Sequence, residues 1–137
     1  MKDKDDVVQG WLRKASSDVV AMNATLRAAA YDGACFHAQQ AAEKYLKAYL
    51  TQREIAFPYT HNLAHLTELC ASVDPVFQSL TALVAGLTPY AVRSRYDDSF
   101  WPSRQVAEEA ISAALKVRDF ILGRLPSETS GPLLSTD

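Results

Sequence analysis

The stretch from Ala34 to about Arg53 contains no Gly or Pro, is rich in Ala and Lys, and repeats Cys35, Ala38, Ala42, Tyr45 and Tyr49 at helical spacing. A run of this length and period reads as helix and not as strand, and its apolar stripe must be covered by neighbouring elements. Upstream, Val8, Leu12, Ala15, Val19, Met22, Leu26 and Ala29, with Trp11 alongside, recur three or four apart between Val7 and about Ala30. That pattern predicts an amphipathic first helix. Tyr31-Asp32-Gly33 is expected to break the two helices into a hairpin, since Gly turns freely and Asp can cap the second helix.

The rest of the chain continues in the same period. Phe57-Pro58-Tyr59-Thr60 reads as a connection, with Thr60 or Asn62 capping a short third helix marked by Leu63, Leu66, Leu69 and Cys70. Asp74-Pro75 is a start signal for a fourth helix, which Gly86 and Pro89 disturb. Asp97-Asp98-Ser99 is expected in an exposed loop. Ser103 to about Leu125 reads as a long last helix with Val106, Ala110, Ala113, Val117, Phe120 and Ile121 facing inward. With no strand-like alternation and no internal repeat, the expected fold is all-α, an antiparallel up-and-down bundle of about five helices over residues 1–125. Residues 126–137 read as a disordered tail.

Composition narrows function by exclusion. The 137 residues suit one domain, and 48% hydrophobic with 22% charged residues is the balance of a globular chain. No apolar run is read as approaching the roughly 18 residues of a membrane span, and the charged opening does not resemble a signal-peptide core, so a cytoplasmic location is expected. The net charge of −2 leaves polyanion binding to a local basic cluster. Cys35 and Cys70 have no CxxC partner, so buried reduced thiols are expected, with neither a metal nor a cofactor.

Three groups of residues could carry chemistry. His37, Gln40, Lys44 and Lys47 project onto one stripe of the second helix, read alone as a solvated face, with Glu43 to Lys47 as a supporting pair four apart. His61 and His65 are spaced to share a metal ion, but without a third ligand a cap or hydrogen-bonding role for His61 is the simpler expectation. Arg93, Arg95 and Arg104 lie among Tyr90, Tyr96 and Trp101, a combination that can hold a phosphate while a base stacks. The equal alternative has the three aromatics in the core and Arg95 paired with Asp97, Asp98 or Glu108.

The segment Phe36-His37-Ala38-Gln39-Gln40-Ala41-Ala42-Glu43-Lys44-Tyr45-Leu46-Lys47-Ala48 resembles the second-helix signature of HEPN domains. Trp11 through Asp18, Thr60-His61-Asn62-Leu63 with Leu66, and Tyr90-Ala91-Val92-Arg93-Ser94-Arg95-Tyr96 resemble the same family in order, over about residues 7–125. The resemblance implies a helical bundle that dimerises, and a small nucleotidyltransferase-like partner in a toxin–antitoxin or related pair. It also implies two alternative activities, nucleotide or RNA binding and metal-independent RNA cleavage.

The family's nucleases set an Arg and a His with four to six residues between them. Arg95 matches the Arg, but Tyr96 to Pro102 contains no His, and Arg53 and His61 miss the spacing by one. The expectation is therefore a binding or regulatory protein more than an enzyme, acting through His37, Gln40, Lys44, Lys47, Arg93, Arg95 and Tyr96. A ribonuclease using Arg95 with a displaced His37 or His61, and a purely structural dimerisation module, stand as alternatives.

Overall fold

The computed structural model describes residues 2–126. It places α1 at Lys4–Arg27, α2 at Tyr31–Gln52, α3 at Leu63–Ala71, a 3₁₀-helix at Pro75–Leu80, α4 at Thr81–Ala85, α5 at Tyr90–Tyr96 and α6 at Arg104–Leu122. No strand occurs among the described residues, so the all-α bundle holds. The expectation for the tail falls almost wholly outside them.

α1 and α2 form the expected hairpin, but its turn lies earlier than Tyr31-Asp32-Gly33, which are the first residues of α2. The stop signal is Ala29, held at φ 62°, with the Ala30 N–H donating to the Thr25 carbonyl at 2.8 Å. Glu54, at φ 57°, ends α2 in the same way, with the Ile55 N–H donating to the Leu50 carbonyl at 2.9 Å. Both are left-handed helix ends at positions where glycine is the usual residue, so no sequence signal marks them. Gly33 serves contact instead: a Cβ there would meet Thr25 Cγ2 at 3.2 Å, where α2 crosses close to α1.

α2 is the central element, packed chiefly by α1 and α6 and also by α3 and α5. Its Ala38, Ala41, Ala42 and Ala48 let these helices approach closely, while Tyr45, Leu46, Tyr49 and Leu50 fill the core. Tyr49, Phe77 and Phe120 stack in sequence, with ring centroids 4.5 and 4.9 Å apart, and join α2 to the 3₁₀-helix and α6. Arg124 closes this end, bonded to Asp74 at 3.1 Å and lying 3.7 Å from the Phe120 centroid.

Asn62 caps α3, Asp74 caps the 3₁₀-helix and Ser103 caps α6, each through a side-chain oxygen. Pro75–Tyr96 corrects one expectation, being long and apolar enough by composition to cross a membrane. In the fold it is broken into the 3₁₀-helix, α4 and α5, with Gly86 ending α4 and Pro89 preceding α5.

Candidate functional site

Two polar regions flank α2. The first is a shelf built by α5 and the segment after it. Phe100 is buried and anchors the segment against Tyr90, with ring centroids 5.6 Å apart, while the Arg93 guanidinium lies 4.6 Å from the Phe100 centroid. Asp97 closes the turn: Oδ1 accepts the Ser99 N–H at 3.0 Å and the Ser99 hydroxyl at 2.6 Å, and Oδ2 accepts Arg93 Nε at 3.4 Å. These bonds hold the Asp97 carboxyl below its ordinary range, Ser99 contributing most.

On this anchored turn Trp101 stands 75% exposed, yet its indole N–H donates to the Asp98 carbonyl at 3.0 Å. Tyr96 is 73% exposed. The alternative that packs both rings in the core is therefore overturned, while Tyr90 is half-buried. Arg95 makes no carboxylate pair among the described residues; Arg93 takes Asp97 and Arg104 takes Glu108, both at 3.4 Å. Instead Arg95 bonds the Ala91 carbonyl at 3.1 Å and lies 5.0 Å from the Tyr96 centroid and 5.1 Å from the Phe36 centroid.

Two shallow clefts share Phe100 and Trp101. One, about 310 Å³, is lined by Arg95, Tyr96, Ser94 and the carboxylate residues Asp32, Asp97 and Asp98. The other, about 330 Å³, is lined by Tyr90, Arg93, Pro102 and Val106. A solvent-facing indole that shares one cleft with Arg95 and the other with Arg93 can stack a planar ring while a phosphate is held beside it.

The second region is a polar seam along α2, and it departs from the solvated stripe expected for His37, Gln40, Lys44 and Lys47. α1 covers part of it with Asp18, whose carboxylate takes both His37 Nδ1, at 2.8 Å, and Lys44 Nζ. Further along, Glu43 is buried and holds three donors: Gln39 at 3.1 Å, Lys47 at 3.0 Å and His61 Nδ1 at 2.8 Å. Gln39 also donates to the His61 carbonyl at 3.3 Å, and Gln40 donates to Gln39 Oε1 at 2.6 Å. The pair expected between Glu43 and Lys47 exists, but in the interior, with Lys47 Nζ 5.4, 5.9 and 5.7 Å from the ring centroids of Trp11, Phe57 and Tyr59.

The structure thus divides the expected site residues into two sets. Arg93, Arg95 and Tyr96 face solvent on the shelf, whereas His37 and Lys44 share Asp18, and Lys47 is enclosed. Phe36 joins the sets, its ring in contact with Arg95 and 5.2 Å from the His37 ring centroid. His61 makes its contacts with Glu43 and Tyr59. His65 stays exposed beside the α3 cap, its N–H bonded to Asn62. Asp18 and Gln39 escape a reading by periodicity because their partners lie 19, 26 and 22 residues away.

Burial pushes the Cys35 thiol up to about 11 and the Cys70 thiol up to about 12, the state expected of structural thiols.

The family model of the HEPN domain matches residues 8–125. Among solved structures, TT1696 from Thermus thermophilus is 29% identical, with a TM-score of 0.73 over 86% of this chain and 98% of that one. ST0689, described as an archaeal HEPN homologue, is 24% identical, with a TM-score of 0.70 over 90% of this chain and 98% of that one, and supports the fold alone. No curated protein matches.

Proposed function

The chain belongs to the HEPN domain family, and on that premise we propose that it binds a nucleotide or RNA end on the shelf of Arg93, Arg95, Tyr96 and Trp101. The observation that carries this reading is the exposed indole of Trp101, oriented by its bond to the Asp98 carbonyl and sharing one cleft with Arg95 and another with Arg93. A pinned aromatic has little mobility left to lose when a base stacks on it. Asp32, Asp97 and Asp98 edge the Arg95 cleft and disfavour a long polyanion, so a ligand of one or two nucleotides fits better than an extended strand.

A purified-protein titration with a phosphorylated dinucleotide tests the assignment. Trp101→Ala is expected to weaken binding by about 1–3 kcal/mol, the range for one base–aromatic stack. Arg95→Ala should weaken it further and flatten its salt dependence. Wild-type affinity in both variants would overturn the site.

The protein's action with a nucleotidyltransferase-type partner, in a toxin–antitoxin-like or regulatory pair, is supported by family membership alone. Its test is co-purification with the product of an adjacent reading frame that carries a Gly-Ser and paired-Asp pattern.

A second reading is a metal-independent ribonuclease using Arg95 with His37. It is favoured by Phe36, which contacts both residues, and by Asp18, which takes His37 Nδ1 and leaves Nε2 for proton transfer. Chelator-resistant RNA cleavage, lost in Arg95→Ala and in His37→Ala, is its required result; a folded protein that cleaves nothing removes it.

A further inference from the structure

The cleft of about 310 Å³ beside Trp101 holds opposite charges that do not meet. Arg95 is engaged elsewhere: its Nε donates to the Ala91 carbonyl at 3.1 Å, and the Phe36 and Tyr96 rings flank its guanidinium at 5.1 and 5.0 Å. Of the carboxylates in the cleft, Asp97 is occupied at both oxygens by Ser99 and Arg93. Asp98 gives its carbonyl to Trp101 and is exposed. Asp32 differs from both. It stands half-buried in the first turn of α2, one turn before Phe36, and makes no hydrogen bond or ion pair among the described residues. Ser94 Oγ, in the lining of the same cleft, is enclosed and also lacks a partner among them. Buried polar groups are as a rule hydrogen-bonded, so a half-buried carboxylate and an enclosed hydroxyl left open in one cleft point to a ligand that completes them.

The donors this ligand must carry discriminate among the bases. A carboxylate only accepts, and two N–H groups side by side can engage both of its oxygens. Guanine alone presents two such donors, N1–H and N2–H₂, on its Watson–Crick edge, with the O6 acceptor next to them. Adenine sets the N1 lone pair beside its amino group, cytosine sets N3 beside its own, and uracil flanks N3–H with two carbonyls. Each of these three turns at least one lone pair toward the carboxylate.

We propose that the Arg95 cleft is specific for guanine and that Asp32 is the residue that reads the base. Asp32 accepts from N1–H and N2–H₂ of a guanine stacked on Trp101, the Ser94 hydroxyl turns about one bond to donate to O6, and Arg95 holds the 5′-phosphate. This rests on the nucleotide-binding reading above and names the base. The ligand is a 5′-guanylate, either free or at the end of an RNA.

Isothermal titration calorimetry of the full chain with 5′-GMP, 5′-IMP, 5′-AMP and 5′-phosphorylated GpU tests the proposal. Wild type should bind GMP about tenfold or more tighter than AMP, with IMP, which lacks the N2 amino group, between them. Asp32→Asn keeps the side-chain shape but replaces one acceptor oxygen with a donor. It should weaken GMP about tenfold without weakening AMP, whereas Trp101→Ala weakens both alike. Circular dichroism melting at the wild-type temperature shows that Asp32→Asn folds. The phosphorylated GpU should depend on Asp32 in the same way, and whichever of it and GMP binds tighter identifies the source as an RNA end or a free nucleotide. Equal wild-type affinity for GMP and AMP, or a ratio that Asp32→Asn leaves unchanged, overturns the guanine assignment while the stacking shelf stands. A wild type that binds none of the four overturns the shelf, and the assignment with it.

Discussion

Glu43→Gln is the substitution that most directly probes the interior of this molecule. The Glu43 carboxylate is 4% exposed and its Lys47 partner 5%, so neither charge is solvated by water. Three donors converge on two carboxylate oxygens: Oε1 takes Gln39 and His61, and Oε2 takes Lys47. A glutamine of the same shape keeps one acceptor and turns an NH₂ toward at least one donor, leaving the Lys47 ammonium enclosed without a counter-charge. Breaking a buried pair from one side costs about 3–5 kcal/mol. The three rings around Lys47 stay against its ammonium in the variant, so a loss at the lower end of that range, about 3 kcal/mol, is expected. Over 137 residues the unfolding entropy is about 0.3 kcal/mol per degree, which puts the drop in melting temperature near 10 °C.

The assay is urea unfolding at neutral pH for wild type, Glu43→Gln, Lys47→Met and the double variant. The double is expected to lose less than the sum of the singles, because removing both charges leaves neither stranded. A single-variant loss under about 1 kcal/mol, the scale of a surface pair, or strict additivity, would refute the buried-hub account.

Three further outcomes are expected from the geometry. Ala29→Gly and Glu54→Gly relieve left-handed backbone at the ends of α1 and α2, and each should raise stability by about 0.5 kcal/mol in urea unfolding, after the entropy that glycine costs the folded state. Cys35 and Cys70 should resist thiol reagents in the native protein and react at ordinary rates in denaturant; native reactivity would contradict their burial and raised pKa values. Because Asp97 has a lowered pKa in the fold, its hold on the turn is fully present above the ordinary value of 3.8. That hold is lost as pH falls through the lowered value, so the Trp101 indole N–H resonance should shift only on strong acidification.

The helices were readable because their period is local. α2 announces itself by its lack of Gly and Pro after its first turn, and Asn62, Asp74 and Ser103 cap the elements they precede. The hairpin turn was misplaced because an alanine, Ala29, adopts the conformation that a glycine usually marks. The polar stripe misled for a different reason. A helical projection shows which residues share a direction, but not what lies in that direction, and Asp18 and the Phe57–His61 connection cover it from elsewhere in the chain. The Arg and aromatic cluster was visible as composition, while the exposure of Tyr96 and Trp101 depends on Phe100 taking the buried place.

The clamp of Asp18 on His37 and Lys44 also governs how the bundle can move. Buried alanines recur in both helices of the hairpin, among them Ala15 in α1 and Ala34, Ala38 and Ala42 in α2, and such small side chains would permit one helix to slip past the other by a turn. Slippage would carry a nearly buried carboxylate away from both of its cations and strand it among methyl groups, at a cost far above thermal energy. A force applied to the outer face of α1 therefore reaches α2 as a tilt of one rigid hairpin, and reaches the shelf through α5 without a change of register.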